Sequence, residues 1–382
     1  MTTGIDAANV MKLLPGRPRV LGLGEPTHFE DVLLEVRNDL FRQLVEQEGF
    51  RAIAIESDCL MGTVVDDYVG SGEGTLDEVM ERGFSHGFGA SAANRELVRW
   101  MRAYNAPRPR VEHVRFAGAD GPLELTTGPA SPQEALTLLY DYLSPRVDLP
   151  HPREALAADG RWTDPAAMMD PSHSPGRTPA ARELRLIADD LAGLLDAQTP
   201  AGSREEWLRA RMYARTAVGL LRYHHWMADT SPHRIARLLD IRSAMIAGNL
   251  LAAAAEWGPV LAFAHNSHLQ RYRSSMTMGG QRQQWWSSGA LVEARLGAGY
   301  SFLSMAVGTI RHRGVDTPPP DTIEGRLYAR PDDRVLVDPR SLADPVPAAR
   351  VSPWFGYAAL DPSHLPGIDG VVYIKDCRPT QP

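Results

Sequence analysis

Short apolar runs alternate with amphipathic stretches through the first third of the chain, which is the pattern of strand-helix-strand units. Val20-Leu21-Gly22-Leu23 and Ala52-Ile53-Ala54-Ile55 carry apolar side chains at successive positions, as strands buried on both faces do. The pattern predicts strands over 19–24, 51–56 and 113–119, with helices over 30–48, 60–70 and 92–104 between them. In the first helix Leu33, Leu34, Leu40, Phe41, Leu44 and Val45 form one apolar stripe, and Gly49 is placed to stop it in a left-handed turn. A further helix is expected over 131–143. A loop rich in Pro, His and Asp follows over 144–179, and then helices over 182–197, 203–227 and 232–256 with stripes of period 3.6. Strand patterns resume at 259–264, 301–307, 334–337 and 371–375, the last ones expected to run antiparallel at an edge. The whole reads as an α/β fold, a mostly parallel central sheet flanked by helices. Residues 1–130 and 257–382 would form the catalytic core, and 131–256 an inserted helical lid subdomain.

Composition narrows the partners. Hydrophobic residues at 43% and charged residues at 23% of 382 positions are globular values, so the chain has enough apolar surface for a sizeable core. A formal net charge of −7, with no basic block interleaved with aromatics, argues against nucleic acid as a partner. Two cysteines, Cys59 and Cys377, are too few for a disulfide scaffold or a cysteine-rich zinc site, which fits a reducing cytoplasm. The first residues lack a basic segment followed by an apolar one, and the apolar stretch 250–264 is interrupted by Glu256, Gly258 and Pro259. Neither a secretory leader nor membrane insertion is expected. The expected partner is a small molecule.

The chemistry gathers where the strands end. Glu25 and His28 follow the first strand, Glu56 ends the second, Asp120 the third, and His265 and His268 follow the strand near 260. In an open parallel sheet such carboxyl ends line one crevice, so these groups are expected in one site. Glu25, three positions before His28, can fix the imidazole tautomer and raise its basicity, the preparation of a general base. His265 and His268 are open to three readings: metal ligands with His28 and a glutamate, a pair that moves protons and orients substrate, or hydrogen-bonded structural groups. Arg37 and Arg242 would be surface charges, or guanidiniums that hold a strand-end carboxylate ionised and bind a carbonyl or oxyanion. Gly83-Phe84-Ser85-His86-Gly87 matches the G-x-S-x-G pattern, but a helix rather than a strand is expected before it, which disfavours Ser85 as a nucleophile. Cys59 reads as a packed thiol. Trp285, in an expected loop over 273–290, would wall an apolar pocket or simply pack.

Taken together, these motifs resemble the erythromycin esterase family, also called succinoglycan-biosynthesis-like, over most of the chain. Gly24-Glu25-Pro26-Thr27-His28 is similar to its G-E-x-T-H signature, Arg37 to its helix arginine, and Gly49 through Glu56 to its next strand. Glu96 with Trp100, Arg102, Tyr104 and Asn105 resembles its E…W-L-R-x-Y-N helix, and Phe116 to Asp120 its F-x-G-x-D strand. Arg242 and Met245 resemble the start of R-x-x-M-x-x-N, with Asn249 one position beyond its asparagine, and Ala264-His265-Asn266-Ser267-His268 resembles A-H-N-x-H. Phe29 departs from the common glycine, and Val32 from a position often acidic. The resemblance implies a metal-independent, cofactor-free hydrolase in which His28 activates water against an ester or lactone of a bulky natural product. It casts Glu25 and Glu56 as electrostatic supports of that base and His265, His268 and Arg37 as catalytic groups around the substrate, while Glu96, Asp120, Arg242, Asn266 and Trp285 are expected to bind substrate. Two alternatives use the same residues: a biosynthetic enzyme performing elimination, cyclisation or acyl transfer, and a binding protein with histidines on a metal or haem.

Overall fold

The structure, a computed structural model, describes residues 2–124, 128–157, 160–278, 280–354 and 356–378. Met1 of the segment read for a leader, and residues 158–159 and 279 of two expected loops, lie outside the described residues. The main-sheet strands, in chain order, are β1 (Thr2–Thr3), β2 (Val20–Glu25), β3 (Ala52–Asp58), β4 (Arg115–Asp120), β5 (Val260–His265), β6 (Tyr300–Thr309), β7 (Arg334–Val337) and β8 (Gly370–Asp376). They lie in the order β1-β7-β8-β6-β2-β5-β3-β4. From β8 to β4 the six strands are parallel. Only β7 runs against its neighbours, so the antiparallel edge expected of the last strands is confined to it, and β8 joins β6 in parallel.

Chain order explains where the crevice falls. From β2 the chain crosses outward to β3 and β4, returns to insert β5 between β2 and β3, and then passes to β6 on the other side of β2. This reversal leaves the carboxyl ends of β2 and β5 with connections that depart in opposite directions, the switch point at which open α/β sheets bind ligands. Every residue of β2 and β3 is buried. Leu21, Leu23, Ile53 and Ile55 pack beneath helix Asp31–Glu48 and helix Ala92–Asn105, through Leu33, Leu40, Phe41, Leu97 and Met101. Val20, Ala52, Ala54 and Ala262 face the other way, against Ile246, Ala247 and Leu250 of helix Arg234–Trp257. That helix is long and apolar enough to cross a bilayer by composition, but it spends its apolar face on the sheet.

Helices Gln133–Leu143, Pro179–Ala197 and Arg204–Met227 share a cluster of their own around Leu136, Leu139, Leu184, Leu191, Ala210 and Ala217. It reaches the sheet where Cys59 Sγ meets Thr216 Oγ1 at 3.2 Å. The stretch expected as a loop over 273–290 is instead an antiparallel hairpin, Arg273–Met278 with Gln281–Trp286, followed by helix Ser288–Leu296. Its polar residues hid a period of two: Ser274, Gln283 and Trp285 point inward and their neighbours outward.

One close approach locks the crevice. Asn266 donates through Nδ2 to the Met305 carbonyl at 3.0 Å and accepts through Oδ1 from Ser304 Oγ at 2.8 Å, tying the end of β5 to β6 across β2. Gly24 lies between, and a Cβ there would stand 2.3 Å from Asn266 Oδ1 and 3.0 Å from its Cα. Asn266, expected to bind substrate, therefore spends both ends of its amide on the sheet. Gly24→Ala should lower stability by about 1–3 kcal/mol, as overpacked cores do, read as a reduced urea midpoint. An unchanged midpoint would contradict this interlock.

Candidate active site

Strand parity distributes the acids. Glu25 continues the Leu21, Leu23 side of β2, toward helix Asp31–Glu48, whereas Glu56 continues the Ala52, Ala54 side of β3, toward helix Arg234–Trp257. His28 stands between them in the turn after β2. Its Nδ1 lies 2.7 Å from Glu25 Oε1 and its Nε2 3.9 Å from Glu56 Oε2. The turn itself is pinned: the His28 carbonyl accepts from Arg313 Nη1 at 2.7 Å, and the Pro26 carbonyl accepts from the Ala358 N–H at 2.8 Å.

Glu56 is the hub. Its Oε1 meets His268 Nε2 and Arg242 Nη2, each at 3.1 Å, and its Oε2 accepts from the His265 N–H at 2.8 Å. Arg242 continues to Asp120 Oδ2 through Nε at 2.9 Å and Nη2 at 2.6 Å, and Asp120 Oδ1 accepts from the Gly121 N–H. Burial alone would raise the Glu56 carboxyl, but His268, His28 and Arg242 outweigh it and hold it well below the usual carboxylate range. Glu25 moves the other way, raised by burial against the opposing pull of its bond to His28. For His28, burial pulls down, yet Glu56 and Glu25 together lift it to about 9. At neutral pH the free site therefore favours the protonated imidazole of His28 between the Glu25 and Glu56 side chains.

His265 has a different task. Its Nε2 donates to the Pro26 carbonyl at 3.2 Å, and its Nδ1 accepts from the Ser267 N–H at 3.2 Å and sits 2.7 Å from Ser267 Oγ. Burial, reinforced by the charge of His28, pushes it down to about 3. It is a neutral brace beneath His28, the rings 5.4 Å apart, and both nitrogens are occupied. Among the described residues no group of three or more His, Cys, Asp or Glu is arranged to hold a metal ion.

Arg37 is fully buried, not at the surface of the crevice. It grips Asn38 Oδ1 through Nε and Nη2, and Asn94 Oδ1 through Nη2 at 2.9 Å, with its guanidinium 4.8 Å over the Phe263 ring. Burial lowers it to about 9, and its charge favours the ionised form of Glu25. Arg37 thus supports Glu25 from below. Arg242 and Asp120, expected to bind substrate, instead neutralise each other and Glu56. Glu96 is outside the site altogether, half exposed and paired with Arg42 at 3.0 Å and Arg99 at 2.9 Å. Asn94, two positions earlier on the buried face of the same helix, is the residue that reaches inward. Trp285 is buried in the hairpin, and nothing places it against His28.

The sequence marked Phe29 as a departure from glycine but did not foresee that it joins Phe88 and His86 in an aromatic rim. Phe88 packs 5.4 Å from the His28 ring and 5.6 Å from Phe29, and His86 stacks on Phe88 at 5.8 Å. Phe29 is 59% exposed and adopts φ 68°, a left-handed conformation that a bulky side chain rarely takes. The replaced glycine was the available signal. Ser85 Oγ accepts from the Asp58 N–H at 2.8 Å and lies 2.7 Å from His86 Nδ1. It follows helix Leu76–Arg82 rather than a strand, and ties this loop to β3. The Cys59 thiol is pushed up to about 12 by burial and Asp58.

The comparisons decide the family. The erythromycin esterase family model matches residues 45–374. The chain belongs to the erythromycin esterase family. An Escherichia coli erythromycin esterase type II is 30% identical over 117 residues, 31% of this chain and 27% of that protein, so the alignment spans about a quarter of the curated relative. Solved structures share the fold at low identity. A Bacillus cereus protein superposes with TM-score 0.71 at 17% identity, covering 95% of this chain and 89% of that one. A succinoglycan biosynthesis protein gives TM-score 0.68 at 17% identity over 98% and 93%. A mutant of the erythromycin esterase EreC in its open conformation gives 0.64 at 16% over 96% and 92%.

Arg242→Met should cost about 3–5 kcal/mol, because it leaves Glu56 and Asp120 buried without their shared cation. Chemical denaturation at neutral pH measures it. A loss below about 1 kcal/mol would mean that the carboxylates are not held by this guanidinium.

Proposed function

We propose that this erythromycin esterase-like hydrolase cleaves an ester or lactone of a bulky small-molecule natural product, with His28 as general base toward water. The observation that carries the reading is the mounting of His28: Nδ1 is bound to a buried carboxylate and Nε2 faces a second one across 3.9 Å. An imidazole so oriented offers Nε2 in its neutral form. Water gives its proton to Nε2 while its oxygen attacks the carbonyl carbon. As the tetrahedral intermediate collapses, the same proton passes to the departing alkoxide, leaving a carboxylic acid and an alcohol. A positioned base contributes about 10²–10⁴-fold. Direct attack by water fits the state of the two side chains considered as nucleophiles, since Cys59 is a buried, weakly acidic thiol and Ser85 Oγ is engaged by backbone. Phe29 and Phe88 supply an apolar wall beside the base, suited to a bulky hydrocarbon part of the substrate.

The elevated His28 also favours a second reading, acid-first chemistry without hydrolysis, in which the imidazolium donates before it accepts. Water labelled with ¹⁸O separates the two, because hydrolysis places the label in the product acid. His28→Asn should reduce ester hydrolysis at least about 10²-fold with the circular dichroism spectrum intact; near-normal turnover would refute the base. With a base lifted to about 9, kcat/KM should rise about tenfold per pH unit from neutrality and level off near that value. A rate that falls over this range would favour the acid-first reading. Phe29→Gly should raise KM for a bulky apolar ester several-fold while kcat holds. Its thermal midpoint should not fall, since glycine relieves a left-handed strain of about 1–2 kcal/mol. An unchanged KM would remove Phe29 from the substrate wall.

A further inference from the structure

On the free edge of the sheet, away from His28, lies a cavity of about 350 Å³. Ala117 and Gly118 of β4 form one wall, and Leu208, Met212, Ala252 and Trp257 of the two long helices Arg204–Met227 and Arg234–Trp257 form the others. The volume is that of a small-molecule site. Its lining carboxylates are all engaged: Asp66 by Arg115 at 2.5 Å, Glu205 by Arg110 at 2.7 Å and Glu256 by Arg204 at 2.5 Å. Arg209 is likewise paired with Asp67.

Two lining arginines remain over. Arg211 and Arg215, one turn apart on the same helix, have no carboxylate within ion-pair distance among the described residues. Arg211 rests 4.7 Å over the Trp207 ring. Arg215 reaches only Asn249 Oδ1, at 3.4 Å, and its Nε is buried with no acceptor. Burial, with Arg211 adding to it, lowers the Arg215 guanidinium. A cation drawn partly out of water without its counter-charge is costly, and a planar guanidinium matches the fork of a carboxylate. On their far side the same arginines border a cavity of about 400 Å³ that adds Asp189 and Asp196 against one more arginine, Arg222. Those acids disfavour an anion there, whereas the sheet edge combines apolar walls with unmatched positive charge.

We propose that the sheet-edge cavity binds a small amphipathic carboxylate, its hydrocarbon part on Met212, Ala252 and Trp257 and its head group on Arg215 and Arg211. This assignment is independent of the chemistry at His28.

Isothermal titration of the full chain with octanoate tests it, with octanol and octylammonium as neutral and cationic comparators. Octanoate should bind once per chain and at least about tenfold more tightly than either comparator. Arg215→Gln should weaken it about tenfold or more, Ala252→Phe should fill the hollow and abolish binding, and His28→Asn should leave binding unchanged. Should Arg215→Gln fail to fold, Ala252→Phe carries the test without altering charge. Absence of octanoate binding, equal affinity for octanol, or binding that survives Ala252→Phe would each overturn the proposal.

Discussion

Everything at the mouth of the sheet is arranged around one buried carboxylate, Glu56. A carboxylate withdrawn from water is tolerated only with opposing charge and hydrogen bonds at both oxygens. Here Arg242 and His268 share one oxygen, and the His265 N–H holds the other. Each partner arrives from a different part of the chain: Arg242 from the long helix on the sheet, and His265 and His268 from the end of β5. The strand ends and that helix are therefore coupled through a single side chain. Because Arg242 also serves Asp120, the end of β4 is drawn into the same network.

The charge left at the rim follows from this network. Arg242 divides its one positive charge between two carboxylates, so Glu56 still acts on His28 across 3.9 Å. Glu25 acts from the other nitrogen, and Arg37 beneath it limits the cost of burying that second acid. Burial, together with the charge of His28 in the same crevice, drives His265 neutral, and it becomes a brace. Three histidines within a few ångströms of the same carboxylates thus take unlike roles, set by which nitrogen finds a carbonyl, a hydroxyl or a carboxylate.

Much of this was legible in the sequence because strand ends are informative. Four apolar runs ending in acid or imidazole groups located the crevice, and β2, β3, β4 and β5 bring Glu25, Glu56, Asp120 and His265 to one edge of the sheet. Helix boundaries followed from apolar period and from caps such as Gly49, which is left-handed at φ 67°. What escaped was direction. No one-dimensional pattern says that Arg37 turns beneath Glu25 toward Asn94, that Glu96 turns away to Arg42, or that both ends of the Asn266 amide are spent on β6. The hairpin after Arg273 escaped because polar alternation in Ser274, Gln283 and Trp285 mimics a loop. The unmatched arginines of the sheet edge became visible only once the other charges lining that cavity had found partners.

The central claim, that Glu56 sets the charge of His28, is tested most directly by nuclear magnetic resonance of the His28 ring in the intact protein and in Glu56→Gln. The account predicts a midpoint near pH 9 in the intact protein and a lower one in the variant, because the amide removes the Coulombic pull of Glu56 while Glu25 remains. A midpoint near that of an unperturbed histidine, or one that stays unmoved when Glu56 loses its charge, would contradict it.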